Sequence, residues 1–226
     1  MFLVIQASVI NTVAYAPAAT HANLHWSMYE YYHITRYNTY TALDYKAADG
    51  GGEYVAPAAN FVAVGNNIAY YSNDGSHWTS ATTPPSGNFY AVTYGGGKYV
   101  AVGGSCAAIS TDGINWASAA TPPTGSFWGV AYGGGQYVAV KNGSAFFTSP
   151  DGSNWTSSST TLSTSGTWQG ITYANSIFVA VNPSHSMIDY SPDGVNWTHA
   201  SSAPGASYYS VAYGNGTFAA IAQNSG

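Results

Sequence analysis

Charge is scarce in this chain. Only 6% of its 226 residues are charged, against about 25% in an ordinary soluble domain. The basic residues are Arg36, Lys46, Lys98 and Lys141, too few to build the patch that neutralises a phosphate backbone, which argues against a nucleic-acid partner. The lone Cys106 cannot close an intrachain disulfide and lacks the neighbours of a zinc site, so it reads as a small buried apolar residue. No apolar run approaches the roughly 18 residues of a membrane span. Residues 1–18, "MFLVIQASVINTVAYAPA", are apolar but hold no Lys or Arg and are interrupted by Gln6, Ser8, Asn11 and Thr12. They are expected to be structural and not a secretory leader.

What is abundant is neutral and aromatic. Ser, Thr, Asn, Gly and Tyr must supply the solubility that charge does not. Aromatics make up 15% of the chain, with 20 tyrosines, and flat rings with hydroxyl edges suit contact with sugars or with other proteins. Such a composition is more usual outside cells or on virions than in cytosolic enzymes.

The stretch "STDGINW" at 110–116 recurs as "SNDGSHW" at 72–78, "SPDGSNW" at 149–155 and "SPDGVNW" at 191–197. Their aspartates, Asp74, Asp112, Asp151 and Asp193, are 38, 39 and 42 residues apart. A second marker keeps step: "FVAV" at 61, "YVAV" at 99 and 137, "FVAV" at 178 and "FAAI" at 218. A third precedes it, in "YGGG" at 94 and 132, "YANS" at 173 and "YGNG" at 213. Alternation in "FYAVTY" and "KYVAV" predicts strands. Each unit then reads strand, Gly-rich turn, strand, short loop, strand, Asp-Gly turn, strand. An all-β unit of four antiparallel strands in about 40 residues is the blade of a β-propeller.

Residues 207–226 supply only the first two strands of a last unit. Residues 5–18 overlay residues 109–122 without a gap, placing Ile5 on Ile109, Ile10 on Ile114 and Asn11 on Asn115. The N-terminal strands are therefore expected to complete the C-terminal blade. Residues 23–29, "NLHWSMY", would be the innermost strand of the next unit, separated from its partner at Phe61 by an insertion at 31–59. The expectation is a single domain over 1–226, a five-bladed propeller closed by both chain ends.

A tight hairpin favours positive φ at its centre, which Asp-Gly accepts at little cost. The Asp carboxylate and the Ser hydroxyl can accept backbone N–H bonds across it, and Trp packs on the blade. The candidate structural residues are thus Ser72, Asp74, Gly75 and Trp78; Ser110, Asp112, Gly113 and Trp116; Ser149, Asp151, Gly152 and Trp155; and Ser191, Asp193, Gly194 and Trp197. A need that recurs once per blade is architectural. The pattern S-x-D-G-x-x-W resembles the Asp-box, or BNR, repeat of sialidases and other propellers. The longer pattern "YGGGKYVAVGG…STDGINW" resembles propeller repeats of phage tail and bacterial surface proteins. The resemblance covers nearly the whole chain apart from the insertion. It implies a fold, and it implies that the box is a turn on the face away from any active site.

The enzymes that use this fold need groups the chain is short of. The resemblance to sialidases would require three arginines to hold a carboxylate, and bidentate pairing cannot be copied by Lys; Arg36 stands alone. A glycosidase needs two carboxyl groups at the scissile bond. Four of the acidic residues are in the boxes, Glu30, Asp44, Asp49 and Glu53 lie in or beside the insertion, and only Asp189 remains in the repeats. No catalytic set, metal site or cofactor is expected. His21 and His25 would share a face only on a helix, and that segment runs from loop into strand. The "GGG" runs lack the following helix of a phosphate loop. The sequons at Asn142, Asn154, Asn196 and Asn215 are in part by-products of the box's "NWT".

Two surfaces remain as candidates for binding. The insertion interleaves Tyr31, Tyr32, Arg36, Tyr37, Tyr40 and Tyr45 on the face of the boxes, and is expected to dock on a neighbouring subunit. The opposite face carries neutral loops such as "GGSC" at 103 and "KNGS" at 141, beside which Tyr90, Trp128, Trp168 and Tyr209 are candidates to stack on a pyranose. The expected function is non-catalytic: a structural and binding component of a virion, such as a tail or decoration protein, part of an oligomer and able to bind host surface glycan. The alternative is a secreted five-bladed lectin; a glycosidase ranks below both.

Overall fold

The computed structural model describes residues 61–143, 145–158 and 166–223. The expected N-terminal strands and the 31–59 insertion lie outside the described residues. Within them the chain is all-β. The first sheet comprises β1 (Phe61–Gly65), β2 (Ile68–Ser72) and β3 (Thr79–Ser80). Two complete four-stranded antiparallel sheets are formed by β4 (Phe89–Gly95), β5 (Lys98–Gly103), β6 (Ala107–Ser110) and β7 (Ala117–Ser118), and by β8 (Phe127–Gly133), β9 (Gln136–Gly143), β10 (Phe147–Ser149) and β11 (Thr156–Ser157). A short strand, β12 (Gly166–Thr167), pairs with the end of β9. The next complete sheet is β13 (Gly170–Ala174), β14 (Ile177–Asn182), β15 (Met187–Ser191) and β16 (Thr198–His199), and β17 (Ser207–Gly214) pairs with β18 (Thr217–Gln223).

The turns joining first to second strands follow from composition. Gly96 and Gly97, Gly134 and Gly135, Asn175 and Ser176, and Asn215 and Gly216 all have positive φ, the pairing a two-residue hairpin needs to match strand twist. The residue before each glycine pair carries a second requirement. A methyl group on Gly95 would fall inside the Tyr132 ring, and one on Gly133 inside the Tyr173 ring. These glycines let the aromatic end of the next unit's first strand cross close to the backbone.

The core lies between sheets. Val62, Val64, Phe89, Val92, Ala101 and Trp116 join the first unit to the second; Val100, Val102, Phe127, Val130 and Trp155 join the second to the third; Val138, Val140, Trp168, Ile171 and Phe178 join the third to the fourth. Val100, Ala101 and Val102 are all fully buried, because successive side chains point to opposite faces and both faces are covered. Strands β4, β8, β13 and β17 pack side by side in that order. On β18 the same apolar motif is half-exposed in alternation, and Ile221 is 68% exposed.

Candidate functional site

The four S-x-D-G-x-x-W segments share one hydrogen-bond pattern. In the second, Ser110 Oγ donates to Asp112 Oδ1 at 2.9 Å and accepts from the Gly113 N–H at 2.8 Å. Asp112 Oδ1 also accepts from the N–H groups of Ile114 and Asn115, each at 2.8 Å, and Oδ2 accepts from Asn115 Nδ2 at 2.8 Å. The indole of Trp116 donates to the Gly113 carbonyl at 3.1 Å. Gly75, Gly113, Gly152 and Gly194 take φ between 68° and 77°, a region costly for other L-residues. Asp151 and Asp193 repeat the set with Asn154 and Asn196. At Asp74 the partner is His77, whose Nδ1 lies 2.6 Å from Oδ2.

These bonds stabilise the ionised carboxylates. The His77 N–H, then its ring, hold Asp74 well below the usual carboxylate range, as the Asn154 N–H and amide hold Asp151. At Asp112 and Asp193 partial burial pushes upward, but the N–H and amide of Asn115 or Asn196 join the neighbouring donors to bring the carboxyl down to about 2. The turns also clasp the preceding unit: Trp116 N–H donates to the Thr83 carbonyl at 3.0 Å, and Trp155 N–H to that of Thr121 at 3.1 Å. Lys98 Nζ donates to the Asp151 carbonyl at 3.2 Å, and Gln136 bonds that of Asp193. These carboxylates are tied into the turns by the turns' own backbone N–H groups and side-chain neighbours.

The second-to-third loops and the ends of the connecting segments meet at the other end of the strands. Ser105 N–H donates to the Gly125 carbonyl at 2.6 Å, and Asn67 N–H to that of Gly87 at 2.8 Å. The first strands begin here with a bulge. Phe89 pairs with Gly103 and Ala91 with Val102, leaving Tyr90 over; Trp128 and Tyr209 are the extra residues of β8 and β17. A bulge re-aims its side chain. Trp128 is 37% and Tyr209 43% exposed. The rings of Tyr90 and Trp128 stack at 4.9 Å between centroids and 15° between planes. Trp128 Nε1 donates to Asn142 Oδ1 at 3.1 Å, which fixes the indole.

Trp168 does not join them. It is fully buried and packs edge-on against Phe146 at 5.2 Å, taking the place that Phe89, Phe127 and Tyr208 hold in the other units. The residue in register with Tyr90, Trp128 and Tyr209 is Gln169. The signal was in the sequence: counting back from Tyr94, Tyr132, Tyr173 and Tyr213 aligns Gln169 with the three rings. The grouped tyrosines Tyr31, Tyr32, Arg36 between them, Tyr37, Tyr40 and Tyr45 lie outside the described residues. Asp189, the one carboxylate of the repeats outside the turns, is 1% exposed and faces His199 Nδ1 at 3.0 Å.

Solved structures with a similar fold include YCF48 bound to D1 peptide, with a TM-score of 0.54 and 21% identity over 71% of this chain and 56% of that one. A virginiamycin B lyase from Staphylococcus aureus matches with a TM-score of 0.56 and 17% identity over 72% of this chain and 56% of that one. The Niastella koreensis GH74 enzyme matches with 0.55 and 21% over 73% of this chain and 26% of that one. The fold is that of a β-propeller. This chain spans little more than half the length of YCF48 and the lyase. At these identities the likeness concerns the fold alone, and its bearers include enzymes. No protein-family model and no curated protein matches the chain.

Proposed function

We propose that this propeller is a non-catalytic binding component of a virion, such as a tail or decoration protein, and that the bulge face takes host surface glycan. The observation that carries the reading is the stack of the half-buried Tyr90 on the exposed Trp128, set among neutral Asn, Ser and Gly loops. Aromatic faces accept the C–H face of a pyranose, and amide and backbone groups around them can bond its hydroxyls. The virion setting is supported by the resemblance of the repeats to those of phage tail proteins, as is the Asp-box character of the turns. Docking on neighbouring subunits is assigned to residues 31–59. A glycan array with the intact chain tests the first part; blank arrays together with a bare 31–59 surface in the native particle would remove both. The second reading, a secreted lectin, predicts a monodisperse protein with several equivalent sugar sites.

The ring is proposed to hold five blades, the last completed by residues 5–18. Three observations support this. The first described sheet has an outer three-strand set without an innermost partner among the described residues. The last has only β17 and β18. Ile221 stays 68% exposed on a motif whose copies are buried in the complete blades.

A further inference from the structure

Resting on that glycan reading, we infer that Gln169 is the hydrogen-bonding floor of a subsite for an uncharged hexopyranose, walled by Trp128 on one side and Tyr209 on the other. The innermost strands β4, β8, β13 and β17 lie side by side, so the bulge-level residues follow one another as Tyr90, Trp128, Gln169 and Tyr209. Each is carried by the same backbone feature or by its counterpart: Gln169 N–H bonds the Val181 carbonyl at 3.1 Å just before the regular ladder of β13 begins at Gly170. The strands approach closely here. A methyl group on Gly129 would lie 2.7 Å from the Gln169 carbonyl, and one on Gly170 would lie 3.0 Å from Ser210 Cα.

The row of rings is therefore interrupted once. Tyr90 covers one face of the Trp128 indole at 4.9 Å, and β13, which carries Gln169, is the next strand on the side of β8 away from β4. On this inference the half-buried Gln169, in place of a third ring, opens a slot between the exposed Trp128 and Tyr209 and offers it both a donor and an acceptor. That combination matches a pyranose, which has an apolar face for stacking and hydroxyls that both donate and accept. The charge balance selects among sugars. Lys141, the cation near this end of the blades, donates to the Thr124 carbonyl at 3.2 Å and sits 4.9 Å over the Phe147 ring. It is committed within the protein, and a sialic acid carboxylate would find no arginine among the described residues. The slot thus suits neutral hexoses.

The test titrates the full chain with methyl glycosides of galactose, glucose and mannose and with a sialic acid methyl glycoside, read by ligand-observed NMR and tryptophan fluorescence. At least one neutral glycoside is expected to bind, with the sialoside weaker. Gln169→Ala is expected to weaken binding at least tenfold and Trp128→Ala to abolish it, while Trp168→Phe leaves it unchanged. Gln169→Glu, which keeps the size and loses the donor, serves as the second variant should the alanine change fail to fold, and is expected to weaken binding at least fivefold. Binding lost in Trp128→Ala but intact in both Gln169 variants overturns the subsite and spares the glycan reading. Preference for the sialoside overturns the neutral class. No binding by any glycoside, with a blank glycan array, overturns the glycan reading itself.

Discussion

Each Asp in the four turns gathers N–H donors that a neutral carboxyl would hold less tightly, so these residues couple folding to pH. Their folded values lie below the roughly 3.9 of an unfolded Asp, at about 2 for Asp112 and Asp193. The stability they contribute is complete above about pH 4 and is lost as pH falls towards 2. Asp112→Ala is expected to cost about 1–2 kcal/mol at neutral pH, like the loss of a helix cap. Asp112→Asn should cost less and flatten the acid limb of a Tm-against-pH curve. A second change should work the other way. Ser176 holds φ 61° in an exposed turn, where its Cβ costs on the order of 1 kcal/mol. Ser176→Gly is expected to raise Tm by about 2–4 °C, measured by calorimetry.

The strands owe their packing to small residues at their ends as much as to the apolar runs within them. Gly133→Ala drives a methyl group into the Tyr173 ring and is expected to destabilise by about 1–3 kcal/mol. Combining it with Tyr173→Ala should cost less than the two separate losses added together, since the two changes share one contact; full additivity in a double-mutant cycle would show that the ring does not depend on the glycine. Where Ala174 replaces the glycine, Tyr213 instead donates to Asn175 Oδ1 at 2.9 Å.

In a propeller each blade is covered by its neighbours, so the ring has no core of its own apart from the interfaces. Among the described residues β18 has no further strand on its outer side, which makes that edge the weak point. Under the proposed closure, deleting residues 1–14 uncovers both the last blade and the ring's joint. Tm is expected to fall by well over the roughly 2–4 °C that one kcal/mol shifts in a chain of this size. A calorimetric melt that stays where the full chain melts would rule the closure out.

The repeat, the four-stranded unit and the Asp-Gly turn were legible in the residues because they are local: a turn is made by groups within three positions of one another, and its spacing repeats with the unit. The alternation in "KYVAV" predicts the strand but not the burial of "YVAV" on both faces, which follows from a sheet packed on each side. Contacts between units were not legible in this way. Nothing near Thr83 announces that its carbonyl receives Trp116, since the two are joined only when one blade is laid on the next. The same holds at the bulge face, where a bulge shifts which of two neighbouring aromatics looks outward. Trp168 and Gln169 differ by one position: counting back from Tyr173 puts Gln169 in line with the three rings, but that Trp168 is fully buried and Gln169 only half-buried is decided by how the sheets pack.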